Sequence, residues 1–253
     1  MKYSFEVPTT ALDVFYEDQD YLFCIAPTAL SDYNYFNFYK EKAKEKYLVL
    51  DNGAFELGKS ISIKELVQLA QDLGAREIVS PDVVHNAVHT VNKSIELFRY
   101  LDAKELLNDF EVMVVPQGKT KEEVMLCLSK LMRLPARVVG IAARVLPANT
   151  PYHSEQLRFS FLQEIIQKKM LGKRVVHLLG LCAVQYMKAY KKEQHTFKIR
   201  SIDTSFPIVL GMLGKSFTET KRKPTCPLLY DAVLTEETIK RIKFNINYLK
   251  NYK

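Results

Sequence analysis

The feature that most constrains this chain is a series of short β-branched runs, each stopping on a polar residue or a glycine. Tyr47-Leu-Val-Leu stops at Asp51, Glu77-Ile-Val-Ser-Pro at Asp82, and Val112-Met-Val-Val-Pro at Gln117. Arg137-Val-Val stops at Gly140, Val175-Val-His-Leu-Leu at Gly180, and Lys198-Ile-Arg-Ser-Ile at Asp203. Helical patterns separate the runs, and that alternation predicts repeated βα units around a mainly parallel sheet. In a parallel barrel the carboxyl ends of all strands open on one mouth, so these distant residues would converge there.

The helices carry their own punctuation. Ser60 or Ser62 caps a helix that runs to Asp72 with Gly74 as its stop, and a second helix spans about Ala87 to Leu101. Thr120 and Glu123 form a capping-box pattern, and further helices are predicted over Ser154 to Met170, Ala183 to Lys192 and Thr235 to Tyr248. The first strand read is Tyr21 to Ala26, closing at Pro27, ahead of a Tyr/Phe-rich segment from Tyr33 to Tyr39. Seven strands are clear and an eighth, in Leu228 to Val233, is weak. The expected fold class is α/β, a single domain over residues 1–253 folded as a (β/α)8 TIM-like barrel, incomplete or distorted.

At 253 residues with 47% hydrophobic content the chain has enough material for a sizeable core, and disorder is not expected. No stretch reaches the roughly 18 continuous apolar residues of a membrane span, and the start MKYSFEVPTT lacks a signal-peptide layout. The expected location is cytoplasmic, with no membrane partner. Cys24, Cys127, Cys182 and Cys226 are widely spaced without a CxxC pair, so buried free thiols are expected and neither disulfides nor a cysteine-rich zinc site. A formal charge of +7 suits a polyanionic partner. Basic clusters lie at Lys40 to Lys46, Lys168 to Arg174, Lys188 to Lys192 and Lys221 to Lys223. The first is interspersed with glutamates and reads as a solvated helix face.

Two carboxylates facing each other across a pocket are what substitution at an anomeric carbon requires: one attacks or stabilises the oxocarbenium-like centre, the other moves the leaving group's proton. Asp51 and Asp203 fit this pattern, with helix capping as the plain alternative for either one. The segments Asp51-Asn-Gly-Ala-Phe, Pro81-Asp82, Pro116-Gln117-Gly118, Val139-Gly140-Ile141-Ala142, Leu178-Leu179-Gly180 and Ile202-Asp203-Thr204-Ser205-Phe206 also stand in a familiar order. Over roughly residues 47 to 207 the chain resembles the tRNA-guanine transglycosylase family, and is most similar to its short 7-deazaguanine DNA transglycosylases from phages and bacteria.

That resemblance implies a base-exchange enzyme. It places Asp203 as the nucleophile on C1′ of the target nucleotide and Asp51 as the general acid/base. It places Asp82 and Gln117 on the purine edge and Gly140 where backbone N–H groups approach the purine carbonyl. Phe55 and Leu179, the latter just before Gly180, would cover the two faces of the heterocycle. It implies no cofactor and no metal, free guanine and 7-deazaguanine as small partners, and a purine-sized space between Asp51 and Asp203.

The chain departs from the family pattern in three places. The family's Asp-Ser-Gly-Gly is here Asp51-Asn52-Gly53-Ala54, which crowds the backbone slightly and bears on which base fits. The zinc-binding subdomain of the tRNA enzymes has only Cys226 in its place, and there is no room for an appended RNA-binding domain. These two absences favour DNA over tRNA as the acceptor, and the first, which removes the region the tRNA enzymes dimerise through, is compatible with a monomer. Lys119, Arg144, Lys215, Lys221, Arg222 and Lys223 are the expected phosphate contacts. His85 and His89 stand at i, i+4 without an evident third ligand, and His177 reads as a wall residue. Gly172-Lys173 and Gly214-Lys215-Ser216 lack the earlier glycine of a phosphate-binding loop. Competing readings are a non-catalytic transglycosylase-like subunit and an unrelated barrel lyase or aldolase, though no strand ends in lysine.

Overall fold

The computed structural model describes residues 1–147, 151–224 and 228–252. Eight strands form one parallel sheet: β1 Lys2–Phe5, β2 Leu22–Ile25, β3 Leu48–Asp51, β4 Glu77–Val79, β5 Glu111–Val114, β6 Val138–Ala142, β7 Val175–Leu179 and β8 Ile199–Thr204. Their order, β1-β8-β7-β6-β5-β4-β3-β2, brings the first and second strands to the two edges of a nearly closed (β/α)8 barrel. The helices are α1 Ala26–Ser31, α2 Tyr33–Lys42, α3 Ala54–Leu57, α4 Ile63–Leu73, α5 Ala87–Ala103, α6 Lys121–Leu131, α7 Pro151–Gln167, α8 Tyr186–Lys192, α9 Phe206–Met212 and α10 Glu236–Asn251.

The eighth strand is not where the sequence placed it. Residues 228–233 carry no strand, and the missing member is the amino-terminal β1, which pairs with β8 from Lys2↔Ser201 to Phe5↔Thr204. Its residues alternate: Tyr3 and Phe5 join the outer core, while Ser4 pairs with Gln19. Between β1 and β2 one backbone bond, Asp20 N–H to the Tyr3 carbonyl (2.9 Å), is supplemented by side chains in place of a full ladder. The Gln19 amide accepts from Phe5 N–H (2.6 Å) and donates to the Phe5 carbonyl (2.9 Å), and Asp20 accepts from Tyr3 N–H at 2.8 Å. These bonds satisfy edge groups that an open sheet would leave unpaired.

Two apolar layers result from the period-2 alternation of strands. The larger packs outward-facing strand residues such as Leu48, Leu50, Ile78 and Leu178 against the helices. The smaller fills the barrel interior with Tyr21, Phe23, Ile25, Val49, Val79, Met113, Val115 and Val138. Gly140 belongs to this interior. A Cβ there would lie 2.8 Å from Met113 Sδ and 2.9 Å from Leu179 Cδ1, so the packing itself demands a glycine. The strand therefore does not stop at Gly140 but runs on to Ala142.

Helix ends follow the caps, with small differences. Ser62 caps α4 through a complete capping box with Glu65, and Gly74 closes it. Thr120 caps α6, but Glu123 returns to Lys119 N–H (2.7 Å) in place of Thr120 N–H, so only one arm of the expected box forms. The helix expected over Ser154 to Met170 spans Pro151–Gln167. His85 precedes α5 with φ of 59°, so it shares no helical face with His89. Cys24, Cys127 and Cys182 are buried and unpaired; Cys226 lies outside the described residues. Among the described residues no helix is long and apolar enough to cross a membrane.

Candidate active site

Five of the six strand-end residues singled out from the sequence, Asp51, Asp82, Gln117, Gly180 and Asp203, lie at or near the carboxyl ends of the strands on one side of the barrel, whereas Gly140 lies within β6. Asp51 closes β3 and Asp203 is the penultimate residue of β8. These strands are separated by β1 and β2 on one side and by β4 to β7 on the other, so the two carboxylates stand on different walls of the same mouth.

Their surroundings differ. Asp203 is 4% exposed, and its Oδ1 accepts from His177 Nε2 at 2.9 Å and from Gly180 N–H at 3.3 Å. His177 is fully buried on β7 and contacts Ser201 Oγ through Nδ1 at 2.8 Å. Among the described residues Asp51 accepts one hydrogen bond, from Gly53 N–H at 2.9 Å. Burial pushes its pKa well above the usual carboxylate range, and the negative charges of Glu56, Asp82 and Asp203 push the same way against the Gly53 bond. Gly53 sits at φ 75°, and a Cβ there would overlap the Pro27 ring, so this turn admits only glycine.

Asp82 and Gln117 are brought together as a pair. Gln117 Nε2 donates to Asp82 Oδ2 at 2.6 Å, and Asn52 Nδ2 donates to Asp82 Oδ1 at 2.8 Å. Burial raises the Asp82 pKa while the Asn52 and Gln117 bonds oppose the rise. Asn52 also donates to the Ser80 carbonyl and accepts from Ala54 N–H, so in place of crowding the turn it ties β3 to the β4 end. Asp82 Oδ2 is thus engaged by Gln117 and Oδ1 by Asn52.

The remaining expected residues divide. Leu179 is half-buried on β7 with its Cδ1 against the Gly140 position. Phe55 on α3, four residues after Asp51, is 77% exposed. Lys119, Arg144 and Lys215 are exposed. Lys221 packs on Tyr248, 4.6 Å from the ring centroid, and bonds its hydroxyl. Residues 221–223 run antiparallel to the loop after β7: Val184 N–H donates to the Lys221 carbonyl, and Lys223 N–H to the Cys182 carbonyl. Lys223 Nζ donates to Ser205 Oγ at 2.7 Å, next to Asp203.

The structure adds residues the sequence reading did not include. Glu6 follows β1 at the mouth, where burial and then the Asp203 charge raise its pKa to about 7, with Lys223 opposing. The alternation Lys2-Tyr-Ser-Phe-Glu6-Val signals a half-buried strand with Glu6 on the face of Ser4, but not that this face turns inward. Arg158 and Glu155 on α7 form a fully buried ion pair (2.7 Å), and Arg158 Nη1 donates to the carbonyls of Leu179 and Gly180. His85, already singled out with His89 in the sequence, has a left-handed backbone and a buried, unpartnered Nδ1, and donates its backbone N–H to Gln117 Oε1.

A cavity of ≈ 130 Å³ lies at the other end of the barrel, lined by Lys2, Tyr21, Tyr47, Glu111, Arg200 and Ser201. The chemistry-bearing residues are not there. Arg200 in that region makes a bidentate bond to Glu77 (2.7 and 3.0 Å), which reads as structural. Among the described residues no group of three or more His, Cys, Asp or Glu is placed to hold a metal ion. The chain matches no model of a known protein family, and no curated protein is significantly similar to it.

Proposed function

We propose that this chain is a base-exchange transglycosylase that replaces guanine in DNA with a 7-deazaguanine such as preQ0. The observation that carries the reading is the pair of carboxylates on two walls of one mouth with different surroundings. Asp51 is held toward its protonated form, and Asp203 is oriented by two N–H donors.

That division suits a two-step displacement. An Asp203 oxygen attacks C1′, forming an ester bond as the C1′–N9 bond breaks, and Asp51 delivers its proton to the departing guanine. The incoming 7-deazaguanine then loses its N9 proton to the Asp51 carboxylate. Its N9 attacks C1′, and Asp203 leaves as the free carboxylate. The Asn52–Asp82–Gln117 cluster supplies acceptors and an amide donor for the purine edge, next to Asp51.

A target base inside a duplex would have to be extruded, or the strand presented single. Lys119, Arg144, Lys215 and Arg222 are the cations we assign to the sugar-phosphate backbone, with Lys221 and Lys223 held closer to the protein. The test is incorporation of radiolabelled guanine or preQ0 by purified protein, offered DNA and tRNA separately. Label in DNA alone is expected. Label in tRNA alone would move the reading to the tRNA enzymes, and exchange left unchanged by Asp203→Ala in a system reconstituted with an active transglycosylase would assign the chain to a non-catalytic subunit.

A further inference from the structure

A short polar chain inside the barrel leads from Arg200 through Ser201 and His177 to Asp203. It starts at Arg200, whose guanidinium has no acceptor and can only donate. Arg200 Nε donates to Ser201 Oγ at 3.1 Å. The Ser201 hydroxyl proton is then free for His177 Nδ1, 2.8 Å away. With Nδ1 accepting, the ring carries its proton on Nε2, which is 2.9 Å from Asp203 Oδ1.

The ring is held in that plane. Phe23 stacks on it at 5.6 Å and 8°, and Tyr21 meets it edge-on at 6.1 Å. A register shift between β7 and β8 pairs Val176 with Ile199 but His177 with Ser201, skipping Arg200. This bulge lets consecutive residues, Arg200 and Ser201, both reach the barrel interior.

We propose that His177 is the positioning residue of Asp203, holding Oδ1 through an Nε2–H donor so that Oδ2 is the oxygen that attacks the sugar. This rests on the transglycosylase reading above. Oδ1 already receives His177 and Gly180, and Oδ2 has no hydrogen-bond partner among the described residues. When Oδ2 bonds to C1′, Oδ1 becomes the ester carbonyl and keeps both donors. When the incoming base displaces the ester, negative charge returns to the carboxylate, and the same two N–H groups stabilise it. His177 neither gains nor loses a proton in either step.

The test combines kinetics with a spectroscopic readout on the full chain. Long-range 1H–15N NMR of histidine-labelled protein is expected to show His177 as the Nε2–H tautomer at neutral pH. An Nδ1–H tautomer would overturn the proposal, whatever the activity. In base exchange, His177→Leu is expected to lower kcat about 10²-fold with KM unchanged, the loss typical of one oriented donor. His177→Gln, which keeps a donor at similar reach, is expected to recover much of it. Ser201→Ala, which leaves the histidine in place, is expected to shift the tautomer balance, a check independent of whether the leucine variant folds. An active His177→Leu beside a dead Asp203→Asn would reject the positioning role and keep the transglycosylase reading. Activity in both would reject the reading itself.

Discussion

Glu6, Asp51, Glu56, Asp82 and Asp203 act electrostatically on one another around the mouth, and Lys223 is a cation that opposes them. Such crowding makes protonation part of folding. Glu6 has a folded-state pKa of about 7 against an ordinary 4.5, so its contribution to stability is complete below about pH 4.5 and is lost as pH rises through 7. Glu6→Gln is therefore expected to raise stability at pH 8, on the order of 2 kcal/mol, and to leave it unchanged at pH 4. Thermal melts of both proteins at the two pH values check this, and equal melting at pH 8 would contradict it. Asp51 and Asp203 could be read from the sequence because each closes a β-branched run. Glu6 could not be reached the same way, since its strand has four residues and half of them are polar. The Asp82–Gln117 bond was equally hidden: it joins residues 35 apart, across two strand ends, and no spacing rule encodes it.

The elements that hold the mouth are stiffened from behind by α7. Arg158 and Glu155, both fully buried, bind each other, the Tyr190 hydroxyl, and backbone groups of Ile141, Leu179, Gly180 and Cys182. Removing one partner leaves an uncompensated buried charge, so Arg158→Ala is expected to cost about 3–5 kcal/mol. Replacing both by apolar residues of similar volume, Arg158→Met with Glu155→Leu, is expected to cost less than Arg158→Ala alone, and urea unfolding of the two variants measures the difference. A double variant at least as unstable as the single one would mean the pair contributes net stabilisation. Helix positions were largely legible, because caps such as Ser62, Thr120 and Thr235 are local hydrogen-bonding choices. The buried ion pair was not, because an Arg three residues after a Glu on a helix normally reads as a solvated face.

At the scale of the whole molecule the barrel closes without a complete ladder, and Gln19 stands in for a strand at the β1–β2 seam. Gln19→Leu leaves the Phe5 N–H and carbonyl without those partners and is expected to destabilise the fold by about 2–3 kcal/mol. Hydrogen exchange should show the Phe5 amide losing protection before those of β5 and β6. Uniform exchange across the barrel would mean the seam is held by something else. The alternating pattern of strands and helices announced the (β/α)8 class. The location of the eighth strand did not emerge, because an edge strand sealed by side chains needs little of the β-branched content that marks the inner ones.

The most direct test of the central claim, that Asp203 and Asp51 divide nucleophile and acid between them, is intact-mass and peptide-mapping spectrometry after reaction with a guanine-containing oligonucleotide. The account predicts a DNA-linked ester on Asp203. It should be absent in Asp203→Asn, slow to form in Asp51→Asn, and discharged from the wild-type protein by added 7-deazaguanine. An adduct on any other residue, or base exchange that proceeds in Asp203→Asn, would contradict it.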